Sequence, residues 1–357
     1  MRATEIIQIN AIQPEAAIIE RAAELLRMGD IVVFPTETVY GLGADALQTA
    51  ALERIFTAKG RPYSDPLIVH IADVGELESI ATNIAPIAYQ LAQAFWPGPL
   101  TLILPADPRI PRMITAGLPT VAVRMPRHPV ALALLAALAS PIAAPSANRF
   151  MHVSPTTAQH AMSDLHGRVP LILDGGPCTV GVESTILDLC SAQPTILRPG
   201  GISLEALRTI IPEVQIAAKR TKENLHELEA ATPLKSPGQL LIHYAPTVPA
   251  FLFAGPAATM RIAMLNEVQR RIARGEQVGV LLADEDVASF QDSGAHCYTL
   301  GSTAAPEQIA ARLFSGLRTL EEAGVAVILC RDFAEHGLGL AIHDRLLKAT
   351  GGKVFRG

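Results

Sequence analysis

Apolar positions along this chain recur with two periods, and the two alternate. Ile18, Ala22, Leu25 and Leu26 fall at helical spacing behind Pro14, and Gly29-Asp30 closes the pattern, so a helix is expected over 14–28. The β-branched run at 31–34 reads as a buried strand. The same logic predicts helices over 47–58, roughly 75–95 and 129–139, the second stopped by Trp96-Pro97-Gly98-Pro99, and a short one over 203–211. Strands are expected at 100–104, 121–124, 141–144, 171–173, near 186 and at 196–198. Ser154 is the expected N-cap of a helix opened by Ser154-Pro155-Thr156-Thr157. From 248 the alternation restarts, with strands at 249–254, 278–282 and 325–330 and helices over 257–274, 305–323 and 341–348. Strands alternating with helices predict α/β layers, and the second block predicts a small, parallel, Rossmann-like domain. Between the blocks, the charged run 219–229 and the Thr-Pro-Leu-Lys-Ser-Pro-Gly stretch at 232–238 read as a mobile linker. The expected division is a domain over 1–210, a linker or lid loop over 211–246, and a domain over 247–357.

The strands of the first block end in loops of small and polar residues. After the strand at 31–34 come Thr36, Glu37 and Thr38, which offer two hydroxyls and a carboxylate or cap the next helix. Lys59 and Arg61 stand two residues apart. In an extended segment such a pair points the same way, and two convergent cations with few acids nearby suit a polyphosphate, Lys as a point charge and Arg as a planar fork. The plainer alternative for a Lys-x-Arg pair is a solvated surface loop. His70, Thr115, Arg124, Ser146, Asn148, Ser154, Ser184 and Arg198 supply further polar tips, and all are expected to converge on one open cleft beyond the strand ends. His70 reads equally as a strand-end histidine with its ring satisfied, and Glu183 as a metal ligand or an ordinary acceptor. Asp174 before Gly175-Gly176 reads as turn chemistry, and Cys178 as inert.

Composition narrows this picture mainly by exclusion. The 357 residues allow two domains, and 49% of them are apolar, ample for two cores. No apolar run reaches the ~18–20 residues that span a bilayer, and the first ten residues lack a secretory pattern. The four cysteines are scattered without a Cys-x-x-Cys, which fits free thiols, a cytoplasmic setting and no structural zinc. A net charge of -5 gives no global nucleic-acid signature. A P-loop, a Gly-x-Gly-x-x-Gly turn, His-Glu-x-x-His and Gly-x-Ser-x-Gly are all absent, and no histidines stand at metal-ligand spacing. The residues alone support a hydroxyl-lined, phosphate-friendly cleft and name no reaction.

The strings PTETVYGLG (35–43), KGRPYSDPLIVH (59–70), WPGPLT (96–101), VAVRMPRHP (121–129), PIAAPSAN (141–148), SPT (154–156), LILDGG (171–176), GVESTI (181–186) and LRPGGI (197–202) follow one another in one order. Together they resemble the L-threonylcarbamoyladenylate synthase (YrdC-type) family. SPGQLLIHYAP (236–246) and GLGLAIHDRLLKA (337–349) resemble its long form, although Ile242 stands where long-form members more often carry a basic residue. The resemblance implies a YrdC-like twisted mixed sheet with flanking helices. It implies a reaction in which L-threonine, bicarbonate and ATP give L-threonylcarbamoyl-AMP, pyrophosphate and water. The product then passes to a separate transferase that modifies the adenosine beside the anticodon of ANN-decoding tRNAs. It places Lys59 and Arg61 on the triphosphate, with Mg²⁺ accompanying ATP, and Arg124 on the carboxylate or carbamate. Thr36, His70 and Ser184 map to L-threonine. Thr115, Ser146, Asn148, Ser154 and Arg198 map to the nucleotide, and Tyr244 to a loop closing over it. Two other readings stay open at this point, an RNA-binding module and a carbamoyl-transfer domain. The net charge weighs against the first, and the lack of acylphosphatase and zinc-finger-like segments against the second.

Overall fold

The computed structural model describes residues 3–218, 233–240 and 242–356. The charged run read as a linker, 219–229, lies outside the described residues. The chain forms two compact units. One comprises 1–150, 154–179 and 183–239; the other comprises 240–357 together with 151–153 and 180–182.

The first unit begins with β1 (Glu5–Gln8), α1 (Ala16–Arg27), β2 (Val32–Phe34), β3 (Gly41–Asp45), α2 (Thr49–Lys59) and β4 (Ile68–His70). It continues through α3 (Leu77–Ile80), α4 (Pro86–Phe95), β5 (Leu100–Pro105), β6 (Thr120–Arg124), α5 (Pro129–Leu138), β7 (Ile142–Ala143), α6 (Ala158–Leu165) and β8 (Leu171–Asp174). β9 (Thr185–Asp188), β10 (Thr195–Arg198), α7 (Leu204–Arg208) and β11 (Gln215–Ile216) complete it. The strands form one mixed sheet in the order β1-β8-β2-β3-β7-β4-β6-β5-β9-β10-β11. α1 and α5 cover one side, burying Ile19, Leu26, Leu134 and Leu135 against Val32, Phe34 and Leu173. α2, α4 and α6 belong to the larger core on Val33, Leu42, Val69, Leu102 and Val123.

Three local expectations change. Gly41–Asp45, where the sequence predicted no strand, is a fully buried strand paired antiparallel to β2 and β7. Its glycines are required by packing: a Cβ on Gly43 would lie 2.7 Å from the Phe34 ring and 2.8 Å from Ile142. The helix expected over 75–95 breaks, because Asn83 takes a left-handed φ of 49° and α4 starts afresh with Pro86 in its first turn. The N-cap of α6 is Thr157, whose hydroxyl accepts the His160 N–H, and Ser154 lies outside the helix.

The second unit holds β12 (Ala250–Ala254), α8 (Ala257–Ile272), β13 (Val278–Leu282), α9 (Val287–Phe290) and β14 (His296–Thr299). α10 (Pro306–Glu322), β15 (Val327–Arg331), α11 (Gly339–Ala349) and β16 (Val354–Arg356) follow. All its strand pairings are parallel, in the order β14-β13-β15-β12-β16. Met260, Met264 and Val268 of α8 pack with Phe290 on Val278, Val280 and Leu282. The small-domain expectation holds, with β14 and β16 added at its edges because their residues are half-buried or exposed and carry little apolar signal.

Candidate active site

The polar tips of the first unit are buried, apart from half-buried Ser146, and several of them share partners. Lys59 is the last residue of α2, and Gly60 caps that helix in the left-handed conformation, φ 66°. Lys59 and Arg61 therefore do not sit on an extended segment as the sequence reading expected, and each has its own acceptors. Lys59 Nζ donates to the carbonyls of Ser146 (2.6 Å) and Asn148. Arg61 donates to the carbonyls of Asp65 (3.0 Å) and Pro66 (2.6 Å). Nor are acids scarce, because the Asp65 carboxylate lies 3.0 Å from the Arg61 guanidinium with both side chains buried. Burial raises the Asp65 pKa against the opposing charges of Arg61, Lys59 and Arg198. Burial, and then the charge of Arg61, holds the Lys59 amine well below the usual lysine range.

His70 and Arg124 end the parallel neighbours β4 and β6 and face each other in register. Arg124 Nη2 is 2.7 Å from Glu37 Oε2, a buried ion pair, and its Nε donates to the Gly98 carbonyl. His70 is almost wholly buried, and its Nδ1 has no hydrogen-bond partner among the described residues. Burial and the Arg124 charge push its pKa down to about 3, so the ring is neutral at physiological pH. Thr36 keeps its hydroxyl local, donating to the Val39 carbonyl at 2.6 Å and accepting from the Thr38 and Val39 N–H groups.

Just before β5, the Pro99 carbonyl accepts the Thr185 N–H and so seats Ser184 beside the segment that Arg124 grips through Gly98. The Ser184 hydroxyl meets Thr101 Oγ1 at 2.7 Å, and Arg198 donates to the Ser184 carbonyl through Nε and Nη2 (3.1 and 3.0 Å). Ser154 donates to Glu183 Oε1 at 2.6 Å, which makes Glu183 an acceptor here. Thr115 follows Ile114, whose carbonyl accepts the Leu67 N–H, so its loop borders the Asp65–Leu67 turn. Asp174 caps the Gly176 N–H as a turn residue, and burial raises the Cys178 thiol out of reactive range. Thr101 and Asp65 were missed from sequence: an alternating strand threonine and an acid inside a Ser-Asp-Pro turn both look like ordinary local chemistry. Tyr244 belongs to the second unit, where its ring lies 5.6 Å from that of Phe314 and 4.9 Å from the Arg345 guanidinium.

The chain matches the family described as Telomere recombination over residues 24–200, and Threonylcarbamoyl-AMP synthase, C-terminal domain, over 202–351. The threonylcarbamoyl-AMP synthase of Pyrococcus abyssi is 43% identical over 335 residues, 94% of each chain. The chain belongs to the threonylcarbamoyl-AMP synthase family. The Bacillus subtilis threonylcarbamoyl-AMP synthase is 44% identical over 95% of this chain and 94% of its own. A crystal structure of P. abyssi Sua5 complexed with L-threonine matches with a TM-score of 0.91 at 43% identity, covering 99% of this chain and 100% of that one. As a member of the threonylcarbamoyl-AMP synthase family, the chain is an α/β enzyme of nucleotide chemistry, and no helix among the described residues is long and apolar enough to cross a membrane.

Proposed function

We propose that this enzyme condenses L-threonine, bicarbonate and ATP into L-threonylcarbamoyl-AMP, releasing pyrophosphate and water. Its product would supply a transferase that modifies the adenosine beside the anticodon of ANN-decoding tRNAs. The observation that carries this reading is a set of four basic side chains, Lys59, Arg61, Arg124 and Arg198, each at most 7% exposed and joined through Asp65, Ser184 and the 98–100 segment. Burying cations is costly unless something anionic compensates them. Both reactants here are anions: a threonine carbamate must approach the α-phosphate, form the new P–O bond and expel pyrophosphate. Preorganised positive charge offsets that repulsion, and little covalent work falls to the protein.

In this reading Lys59 and Arg61 face the triphosphate, and Arg124 exchanges part of its Glu37 contact for the carboxylate or carbamate. Neutral His70, with Nδ1 unpaired, suits a hydroxyl better than a charge, and Ser184 and Thr36 complete the threonine side. Thr115, Ser146, Asn148, Ser154 and Arg198 line the nucleotide side; the place of Tyr244 there rests on the sequence resemblance. Mg²⁺ would accompany ATP. No three His, Cys, Asp or Glu side chains among the described residues group to hold a metal, and a Mg²⁺ bridging phosphates needs only one or two carboxylates. The buried Asp65 carboxylate, beside Arg61 and Lys59, would supply such a ligand. The division into 1–210, 211–246 and 247–357 belongs to the same reading.

The test is pyrophosphate release from ATP and bicarbonate, with and without L-threonine, on the wild type and Lys59→Ala. Threonine-dependent release that falls by about 10²-fold or more in the variant is expected. Release indifferent to threonine overturns the reading.

A further inference from the structure

The second unit contains a cavity of about 640 Å³ that takes no part in the site above. It lies at the carboxyl ends of the parallel strands, lined by Gly255 after β12, Thr303 after β14 and Arg331 to Phe333 at the end of β15. β12 and β15 are neighbours, yet the chain leaves β12 toward β13 on one side and β15 toward β16 on the other. Adjacent strands whose connections diverge open a crevice, the usual ligand position in open parallel sheets.

Its chemistry is one-sided. Met260, Pro306, Ile309, Phe333 and Ile342 give apolar walls. The amino ends of α8, α10 and α11 all open on this edge without a side-chain cap, and their dipoles favour negative charge. Arg331 is the independent sign. It is 8% exposed, it lines the cavity, and its Nη1 has no hydrogen-bond partner among the described residues. Phe333 holds the guanidinium at 5.0 Å from its ring, and Asp286 pairs with Nε at 3.2 Å. Asp286 is shared with Arg261, also at 3.2 Å, so two cations meet one carboxylate. The other acids nearby are engaged. Asp332 accepts from His343 Nδ1 at 2.7 Å, and Glu285 accepts from Ser302 and Thr303.

We infer that this crevice binds a small amphiphilic organic anion, its oxyanion head on Arg331 and its apolar body against Met260, Ile309, Phe333 and Ile342. The volume suits a molecule well short of a dinucleotide, since pockets of ~300–1,000 Å³ enclose drug-sized ligands. The β12–α8 turn, Gly255-Pro256, also lacks the glycine-rich pyrophosphate turn. The inference does not depend on the reaction proposed for the first unit.

The test uses the full chain and 8-anilinonaphthalene-1-sulfonate, a sulfonate on an apolar body, followed by fluorescence titration. Binding should weaken about 10- to 100-fold in Arg331→Gln, the loss expected for a charged hydrogen bond. It should also be blocked in Ala304→Trp, which fills the mouth from an exposed position. Threonine-dependent pyrophosphate release should stay unchanged in both variants. Competition then separates the sources of the head group: displacement by octanoate marks a carboxylate, displacement by AMP a phosphate ester. Titration curves indifferent to both substitutions overturn the inference. So does displacement by inorganic phosphate as effectively as by either organic anion, or by neither organic anion.

Discussion

Lys59 is charged in water but is held here, by burial and by Arg61, where its proton is weakly bound. An arriving triphosphate reverses that balance, since an opposite charge within a few ångströms favours the ammonium. ATP binding should therefore raise the affinity of Lys59 for its proton. Calorimetric titrations should show ATP binding about 10-fold or more weaker in Lys59→Met, and equal affinity would take Lys59 away from the triphosphate. His70 gives a second prediction, on stability. Its folded pKa is about 3 against 6.5 for the free side chain. Between those values the unfolded chain binds a proton that the folded chain refuses, so stability is full above pH 6.5 and falls as pH drops toward 3. The slope is at most ~1.4 kcal/mol per pH unit, or about 2 kcal/mol between pH 7 and pH 5. Urea unfolding at the two pH values should show that difference in the wild type and a smaller one in His70→Asn. Equal differences would mean that other groups carry the acid sensitivity.

At the scale of elements, the turn after β10 decides where Ser184 stands. A Cβ on Gly200 would lie 2.3 Å from the Glu183 carbonyl oxygen and 2.4 Å from the Ser184 carbonyl carbon and the Thr185 nitrogen. These are backbone atoms leading into β9 and cannot yield as a flexible side chain would. Gly200→Ala should push β9 and β10 apart and break the Arg198–Ser184 and Ser184–Thr101 contacts. A shift near 1 Å at a positioning residue costs ~10²-fold in rate. Threonine-dependent pyrophosphate release should fall by that order while the far-UV spectrum is retained; an unchanged rate would remove Ser184 from the site. The motif around Gly200 was visible in the sequence, but its reason was not, because close backbone approach leaves no periodic signal. The same holds for β3, whose Gly41 and Gly43 look like loop residues until the Phe34 ring is seen filling their side-chain space. Strong periodicity made α1, β2, β5, β6 and, in the second unit, β12, α8, β13, α10, β15 and α11 readable. The converging tips were readable as residue types, but their partners were not: Lys59 proved to end a helix, Arg61 to face Asp65, and Ser154 to serve Glu183 rather than a helix start.

For the whole molecule, the two compact units make a single unfolding transition an unsafe assumption, and this bears on the test of Tyr244. Tyr244 is 1% exposed within the second unit, takes a positive φ of 59°, and packs on Phe314 beneath Arg345. Tyr244→Ala would remove a buried aromatic ring, a change that costs ~3–5 kcal/mol in comparable cores. Any loss of activity in that variant would then mix unfolding of one unit with a role at the nucleotide. Tyr244→Phe separates the two, since it keeps the ring and its packing and deletes only the hydroxyl. Calorimetry should show Tyr244→Ala lowering the melting of the second unit by several degrees while Tyr244→Phe stays close to wild type. If the hydroxyl serves the nucleotide, Tyr244→Phe should raise KM for ATP several-fold and leave KM for L-threonine unchanged. Unaltered ATP dependence in a variant that melts normally would confine Tyr244 to the packing of its own unit.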